Sequence, residues 1–180
     1  NNSKKSWIPL EEEIDMLRLS LDMEELRFRD AFHYELSCGE GVDPSALFIP
    51  PLLLQPFVEN AIWHGLMHKK ENGLVSISFR VENDILHCTV LDNGVGRSES
   101  ANAGSKSSQA HKSMGIQITK ERLALINGEL NDEKVVFNIE DMVDKAGQPS
   151  GTKVNLSIRF QQNYETQKES VSSLKLKSHD

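Results

Sequence analysis

The sequence has few cysteines, only Cys38 and Cys88. They show no metal-binding spacing, and each sits in a strand-like run. Both read as buried thiols of a reducing compartment, although a disulfide stays open on sequence alone. Basic charge is also scarce. A net charge of -7 over 180 residues argues against a nucleic-acid partner, because a phosphate backbone needs a basic footprint. Lys69-Lys70 is a short pair in a loop and reads as solvated surface. There is no apolar run of about 18 residues and no signal peptide, so nothing in the sequence reads as a membrane span. No internal repeat is found. The first residues, Asn1-Asn2-Ser3-Lys4-Lys5, lack a methionine, and the chain reads as a fragment of something longer. Its hydrophobic content of 38% suffices for one core, so the length reads as one domain with an extra helix or tail.

The most informative stretch is Pro50-Pro51-Leu52-Leu53-Leu54-Gln55-Pro56-Phe57-Val58-Glu59-Asn60-Ala61-Ile62-Trp63-His64-Gly65-Leu66. Pro56 has no backbone N–H and fits a first helical turn, which starts the helix near Leu54 or Gln55. Gly65 suits the residue just past the end. Phe57 with Ala61, and Val58 with Ile62, repeat at i, i+4 and can face a core. Three polar side chains interrupt the apolar run. Asn60 and His64 are four apart and share a face, with Glu59 beside them. Buried polar groups need partners, so these three form either a satisfied core network, an exposed face or a site.

Upstream, Pro9 to Asp30 reads as a long amphipathic helix. Glu11, Glu12 and Glu13 favour the positive end of its dipole, and Leu10, Ile14, Leu17, Leu21 and Phe28 form an apolar stripe. It is either a helix packed on the domain or a connector from a missing upstream region. Ala31 to Cys38 alternates as a strand, with Phe32, Tyr34 and Leu36 on one face, and Gly39 to Ser45 is a polar loop. Downstream, Gly73 to Arg80 and Ile85 to Leu91 form a hairpin around Glu82-Asn83-Asp84.

The hairpin ends at Asp92-Asn93-Gly94-Val95-Gly96. Two glycines after a strand let a backbone approach a flat ligand or turn sharply, and Asp92 can accept from an amino group. Taken alone, Asp-Asn-Gly is usually a turn. Arg97 to Ser113 is polar and reads as a mobile loop. From Met114-Gly115-Ile116 the pattern is helical again, with Ile116, Thr119, Leu123 and Ile126 on one side, and it ends at Asn127-Gly128. A glycine leading into a helix N-terminus is a common setting for phosphate oxygens. Lys134 to Met142 is a strand, Asp144 to Ser150 a turn, and Gly151 to Phe160 the last strand. Gln161 to Asp180 is polar and reads as disordered or loosely docked.

In this order the motifs resemble the ATP-binding domain of the GHKL superfamily, which includes histidine kinases, DNA gyrase, a class of heat-shock chaperones and the MutL repair proteins. The wording is most similar to the LytS-like sensor histidine kinases. Pro50 to Gly65 resembles their N box, and Asp92-Asn93-Gly94-Val95-Gly96 the first glycine box. Ser113-Met114-Gly115-Ile116 with Glu121-Arg122-Leu123 is similar to the second glycine box, and Gly151-Thr152 to the last. The likeness spans roughly residues 7 to 160. It implies an α+β fold, a two-layer Bergerat-type sandwich whose mixed, mostly antiparallel sheet is covered on one face by helices. It also implies a connector helix over 1–30, an ATP-binding catalytic domain over 31–160 and a polar tail over 161–180.

The resemblance further implies roles. Asn60 would ligate Mg²⁺ bridging the nucleotide phosphates, a hard oxygen ligand for a hard ion. Glu59 would polarise the attacking group or position a water on the ion. Asp92 would accept from the adenine amino group with Thr152 nearby, while Gly94 and Gly96 let the backbone pass the purine. Arg97 to Ser113 would be the ATP lid, and Gly115, Ile116 and the helix after them would receive phosphates. His64 and Lys69 would be candidates for phosphate contact. The sequence departs from the family where Ser113 replaces the first glycine of the second glycine box and Ile118 a common asparagine. None of His33, His64, His68, His87, His111 or His179 has the phosphoacceptor wording Pro-His-Phe-Leu-Phe-Asn. The implied protein is the cytoplasmic ATP-binding domain of an inner-membrane sensor kinase, without direct membrane contact of its own. Its partners are ATP, the kinase's dimerisation and phosphoacceptor helices, and a response regulator. The rival readings are a GHKL ATPase or chaperone, and a non-catalytic nucleotide-sensing module.

Overall fold

The computed structural model describes residues 7–28, 31–69, 72–97, 121, 123–125 and 135–162. In chain order these form β1 (Ile8–Pro9), α1 (Leu10–Arg27), β2 (Phe32–Cys38), β3 (Leu47–Ile49) and α2 (Gln55–Asn60), which continues as a π-helical segment, Ala61–Leu66. Then come β4 (Gly73–Glu82), β5 (Ile85–Asp92), β6 (Val136–Val143), β7 (Pro149–Arg159) and β8 (Gln161–Gln162).

Five strands make one sheet in the order β2-β4-β5-β7-β6. β2 and β4 are parallel, with Phe32 opposite Gly73, and the other neighbours are antiparallel. Alternation explains its single covered face. Val75, Ile77 and Phe79 of β4, Leu86, Cys88 and Val90 of β5, and Val154, Leu156 and Ile158 of β7 are all buried. On the opposite face, polar rungs face one another across the strands. His87 Nδ1 lies 3.0 Å from Ser157 Oγ, and Thr89 Oγ1 donates to Asn155 Oδ1 at 3.1 Å.

The helices cover the apolar face. Leu10, Ile14, Leu17 and Leu21 of α1 join Phe57, Val58, Ala61 and Ile62 of the second helix in one core, with Phe28 packed against it. α1 is therefore packed on the domain along the expected stripe. It ends at Arg27, with Phe28 as C-cap.

The β4–β5 hairpin turns through Asn83 and Asp84, both at positive φ (51° and 59°). That is the backbone a two-residue turn needs to match the right-handed twist of its strands. A small second sheet, β1-β3-β8, was not anticipated. It places Gln161–Gln162, expected in a loose tail, opposite Phe48 and Leu47. Cys88 is buried as expected, but Cys38 is exposed at the end of edge strand β2. Among the described residues no helix is long and apolar enough to cross a membrane.

Candidate functional site

The second helix begins where the sequence indicates, at Gln55 with proline in its first turn. It does not stop at Gly65. The chain runs through Gly65 to Leu66 in a π-helical turn, and Met67 N–H donates to the Ile62 carbonyl at 2.9 Å, five residues back. Such widened turns are frequent at functional sites. Gly65 is required by packing instead. A Cβ there would lie 2.7 Å from Asp92 Oδ1.

Asp92 is the centre of this contact. It ends β5 opposite Thr152 of β7, and it is 4% exposed. Its Oδ1 accepts the Gly94 N–H at 2.9 Å. Burial raises its pKa from 3.8 to about 6, partly offset by the N–H groups of Gly94 and Thr152 and by the Lys69 ammonium. At neutral pH the side chain is thus mostly ionised, a buried carboxylate able to accept from a ligand's amino group.

The glycines fit their neighbours tightly. At Gly94 a Cβ would overlap the Gly65 backbone, and the Val95 N–H donates to the Gly65 carbonyl at 3.2 Å. Gly96 has φ +77°, and a Cβ there would meet Pro149 Cβ at 3.0 Å. Gly151, at φ +131°, leaves no room for a Cβ against the Asp92 carbonyl. The direction a Cβ would take from Gly94 is therefore filled by the π-helical segment. These glycines seat the Asp92 loop on the helix and on β7.

Glu59 is exposed, while Asn60, His64 and Thr152 are half-buried. Glu59 Oε1 accepts from Gln55 Nε2 at 3.0 Å. Lys69, considered for phosphate, donates from Nζ to the Asn93 carbonyl at 2.9 Å. Asn60 and His64 sit on the same continuous helix as Gly65, so one element carries the N-box side chains and abuts Asp92. Gly115, Ile116, Ser113 and the expected lid after Arg97 lie outside the described residues. Among the described residues no three His, Cys, Asp or Glu side chains cluster to cage a metal.

Three features escaped the sequence reading. Asn93 staples the loop to β4, accepting the Leu74 N–H at 2.8 Å and donating to the Asn72 carbonyl at 3.0 Å. Arg97 pairs with Asp141 through Nε and Nη2 at 2.6 and 2.7 Å. Glu13 is buried, and its two carboxylate oxygens accept the backbone N–H groups of Leu52 (2.8 Å) and Leu54 (2.9 Å) just before α2. Its signal was positional, because it shares the buried face of Leu10, Ile14, Leu17 and Leu21.

No family model matches the chain. It is 26% identical over 158 residues to the sensor protein LytS of Enterococcus faecalis, covering 88% of this chain and 26% of that protein. To the sensor protein LytS of Oceanobacillus iheyensis it is 34% identical over 99 residues, 54% of this chain and 16% of that protein. The chain thus spans about a quarter or less of the LytS relatives it matches. Among solved structures, the catalytic domain of histidine kinase ThkA, in a nucleotide-free form, superposes with a TM-score of 0.56 at 11% identity, over 86% of this chain and 95% of that one. The Acinetobacter baumannii histidine kinase AdeS superposes with a TM-score of 0.52 at 12% identity, over 86% of this chain and 66% of that one. The fold is that of histidine-kinase catalytic domains.

Proposed function

We propose that this chain, a LytS-like ATP-binding domain with the histidine-kinase fold, binds Mg-ATP and presents its γ-phosphate to a histidine outside the chain. From there the phosphate would pass to an aspartate of a response regulator. The observation that carries the reading is Asp92: a carboxylate 4% exposed, ionised at neutral pH and walled by backbone. Hydrogen bonds fix its position, and a buried acceptor of this kind selects a ligand with a donor such as the adenine amino group. Thr152, half-buried on the neighbouring strand, would add a hydroxyl beside it.

The N-box residues would act on the phosphate end. Asn60 offers an amide oxygen, and a Mg²⁺ ion bound by one protein oxygen would complete its shell with water and phosphate, the usual arrangement for this ion. When bound, the ion would neutralise charge on the phosphate oxygens. Glu59, exposed and held by Gln55, would orient the attacking group. His64 would contact phosphate. Gly115 and Ile116, outside the described residues, belong to the same proposal as backbone donors to phosphate. Within a complete sensor the domain would lie on the cytoplasmic side of an inner membrane, beside dimerisation and phosphoacceptor helices. Rate would come from positioning and charge neutralisation, the pattern of phosphoryl transfer generally.

Titration with a fluorescent ATP analogue tests the reading. Saturable binding that needs Mg²⁺ is expected. Asn60→Asp should weaken Mg-ATP use at least tenfold while the melting temperature stays within a few degrees. Unchanged phosphotransfer in that variant refutes the ion assignment.

A further inference from the structure

α1 holds the site helix at three places. At its start, Glu13 of α1 holds the turn that leads into it. No side chain of α2's own N-cap residue makes a cap bond, and the preceding turn passes through Leu52 at φ 55°. Two N–H groups leading into the helix, those of Leu52 and Leu54, end on the Glu13 carboxylate. At its first residue, Gln55 Nε2 donates to Ser20 Oγ of α1 at 3.0 Å and to Glu59 Oε1, one turn on, at 3.0 Å. Near its end, Trp63 is flanked by α1's C-terminus. The Arg27 guanidinium lies 4.7 Å from its ring, and the Phe28 ring lies 5.5 Å away, edge-on.

The Gln55 contact differs from the other two. Glu13 and the aromatic end hold backbone and ring in place, whereas Gln55 connects α1 to a polar side chain of the proposed site. A primary amide has two N–H bonds. Here one points to α1 and the other to Glu59, so the Glu59 carboxylate is oriented by a group that α1 itself orients. Hydrogen bonds weaken steeply with distance, and a slide of α1 by about 1 Å along the helix would break the Ser20 contact and free Gln55 to turn.

We propose that Gln55 is a positioning residue for Glu59, and that α1 acts through Ser20 and Gln55 as the input lever setting the Glu59 carboxylate. This deepens, and rests on, the kinase reading of the site. Motion of α1 relative to the sheet then changes phosphotransfer without changing nucleotide affinity, because Glu59 precedes Gly65, the residue that abuts Asp92, by six helical positions, roughly 9 Å.

The test is autophosphorylation of the complete kinase with Mg-ATP. Ser20→Ala should lower kcat at least threefold, with KM for Mg-ATP within twofold of wild type. Ser20→Thr, which keeps the hydroxyl, should restore kcat. In a Glu59→Asp background, where the shortened side chain no longer reaches Gln55, Ser20→Ala should have no further effect. A wild-type kcat in Ser20→Ala overturns the proposal, as does an equal loss in the Glu59→Asp background, which would mark Ser20 as merely structural. Absence of Mg-ATP binding in the wild-type protein would overturn the kinase reading itself. Normal wild-type turnover with an inert Ser20→Ala overturns only the lever.

Discussion

Replacing Asp92 by Asn should separate the charge of this side chain from its shape. The carboxyl titrates near pH 6 in the fold, against 3.8 when solvated. A shift of roughly two units corresponds to about 3 kcal/mol against the buried anion. Because the folded pKa is the higher one, this group's contribution to stability is full below about pH 4. It is lost as the pH rises through about 6. Acidifying from pH 7 to pH 5 should therefore stabilise wild type by about 1.3 kcal/mol relative to Asp92→Asn. Nucleotide binding should run the other way. An amino donor needs the ionised acceptor, so the wild-type Kd should be flat above pH 7 and about tenfold weaker at pH 5. Asp92→Asn keeps one acceptor oxygen but loses the charge, and its Kd should be weaker by about five- to tenfold at pH 7 and insensitive to pH. Urea melts at pH 5 and 7, with calorimetric titration of the Mg-nucleotide at the same pH values, measure both. Parallel pH profiles in wild type and variant would refute the assignment of Asp92 as a buried, functional anion.

Gly94→Ala should cost at the upper end of about 1–3 kcal/mol, because its Cβ would overlap Gly65 backbone that cannot swing aside. A chemical-denaturation midpoint unchanged from wild type would contradict the close loop–helix contact. Asp141→Asn removes a bidentate partner of Arg97, but the side chains are 43% and 53% exposed. The loss should stay below about 1 kcal/mol and shrink further in high salt. A larger, salt-insensitive loss by thermal melting would show that this pair anchors more than itself.

The sheet was legible because its strands alternate. Val75, Ile77 and Phe79, and likewise Val154, Leu156 and Ile158, point every second residue into one core. The helix starts followed from Pro9 and Pro56, and the buried side of α1 from its apolar stripe. Strands of two or three residues carry no period, which is why β1, β3 and β8 went unseen. Gly65 was misread for a related reason. Glycine after an apolar helical run is a good stop signal locally, and its real cause, a carboxylate from a strand 27 residues later, is not local at all. Glu13 was hidden in Glu11-Glu12-Glu13, where charge looked like a dipole effect, although only the third glutamate falls on the buried face. The candidate site was legible as wording, through its boxes, but its internal contacts were not. That Lys69 spends its charge on the Asn93 carbonyl depends on where two distant loops meet.

The parallel pairing of β2 with β4 also bears on the order of folding. A hairpin such as β4–β5 closes through two residues and does so within microseconds. β2 can join only after the whole of residues 39–72 has looped back across the sheet, a closure costing roughly 2–3 kcal/mol more in chain entropy than the tight turn. The site helix lies inside that loop, yet only residues 67–72 separate its end from β4. Its seat against Asp92 therefore needs a far shorter closure than β2 does, and the helix can dock on the hairpin without β2. The cost of β2 pairing then falls on the edge of the sheet and on α1, not on the contact between Gly65 and Asp92.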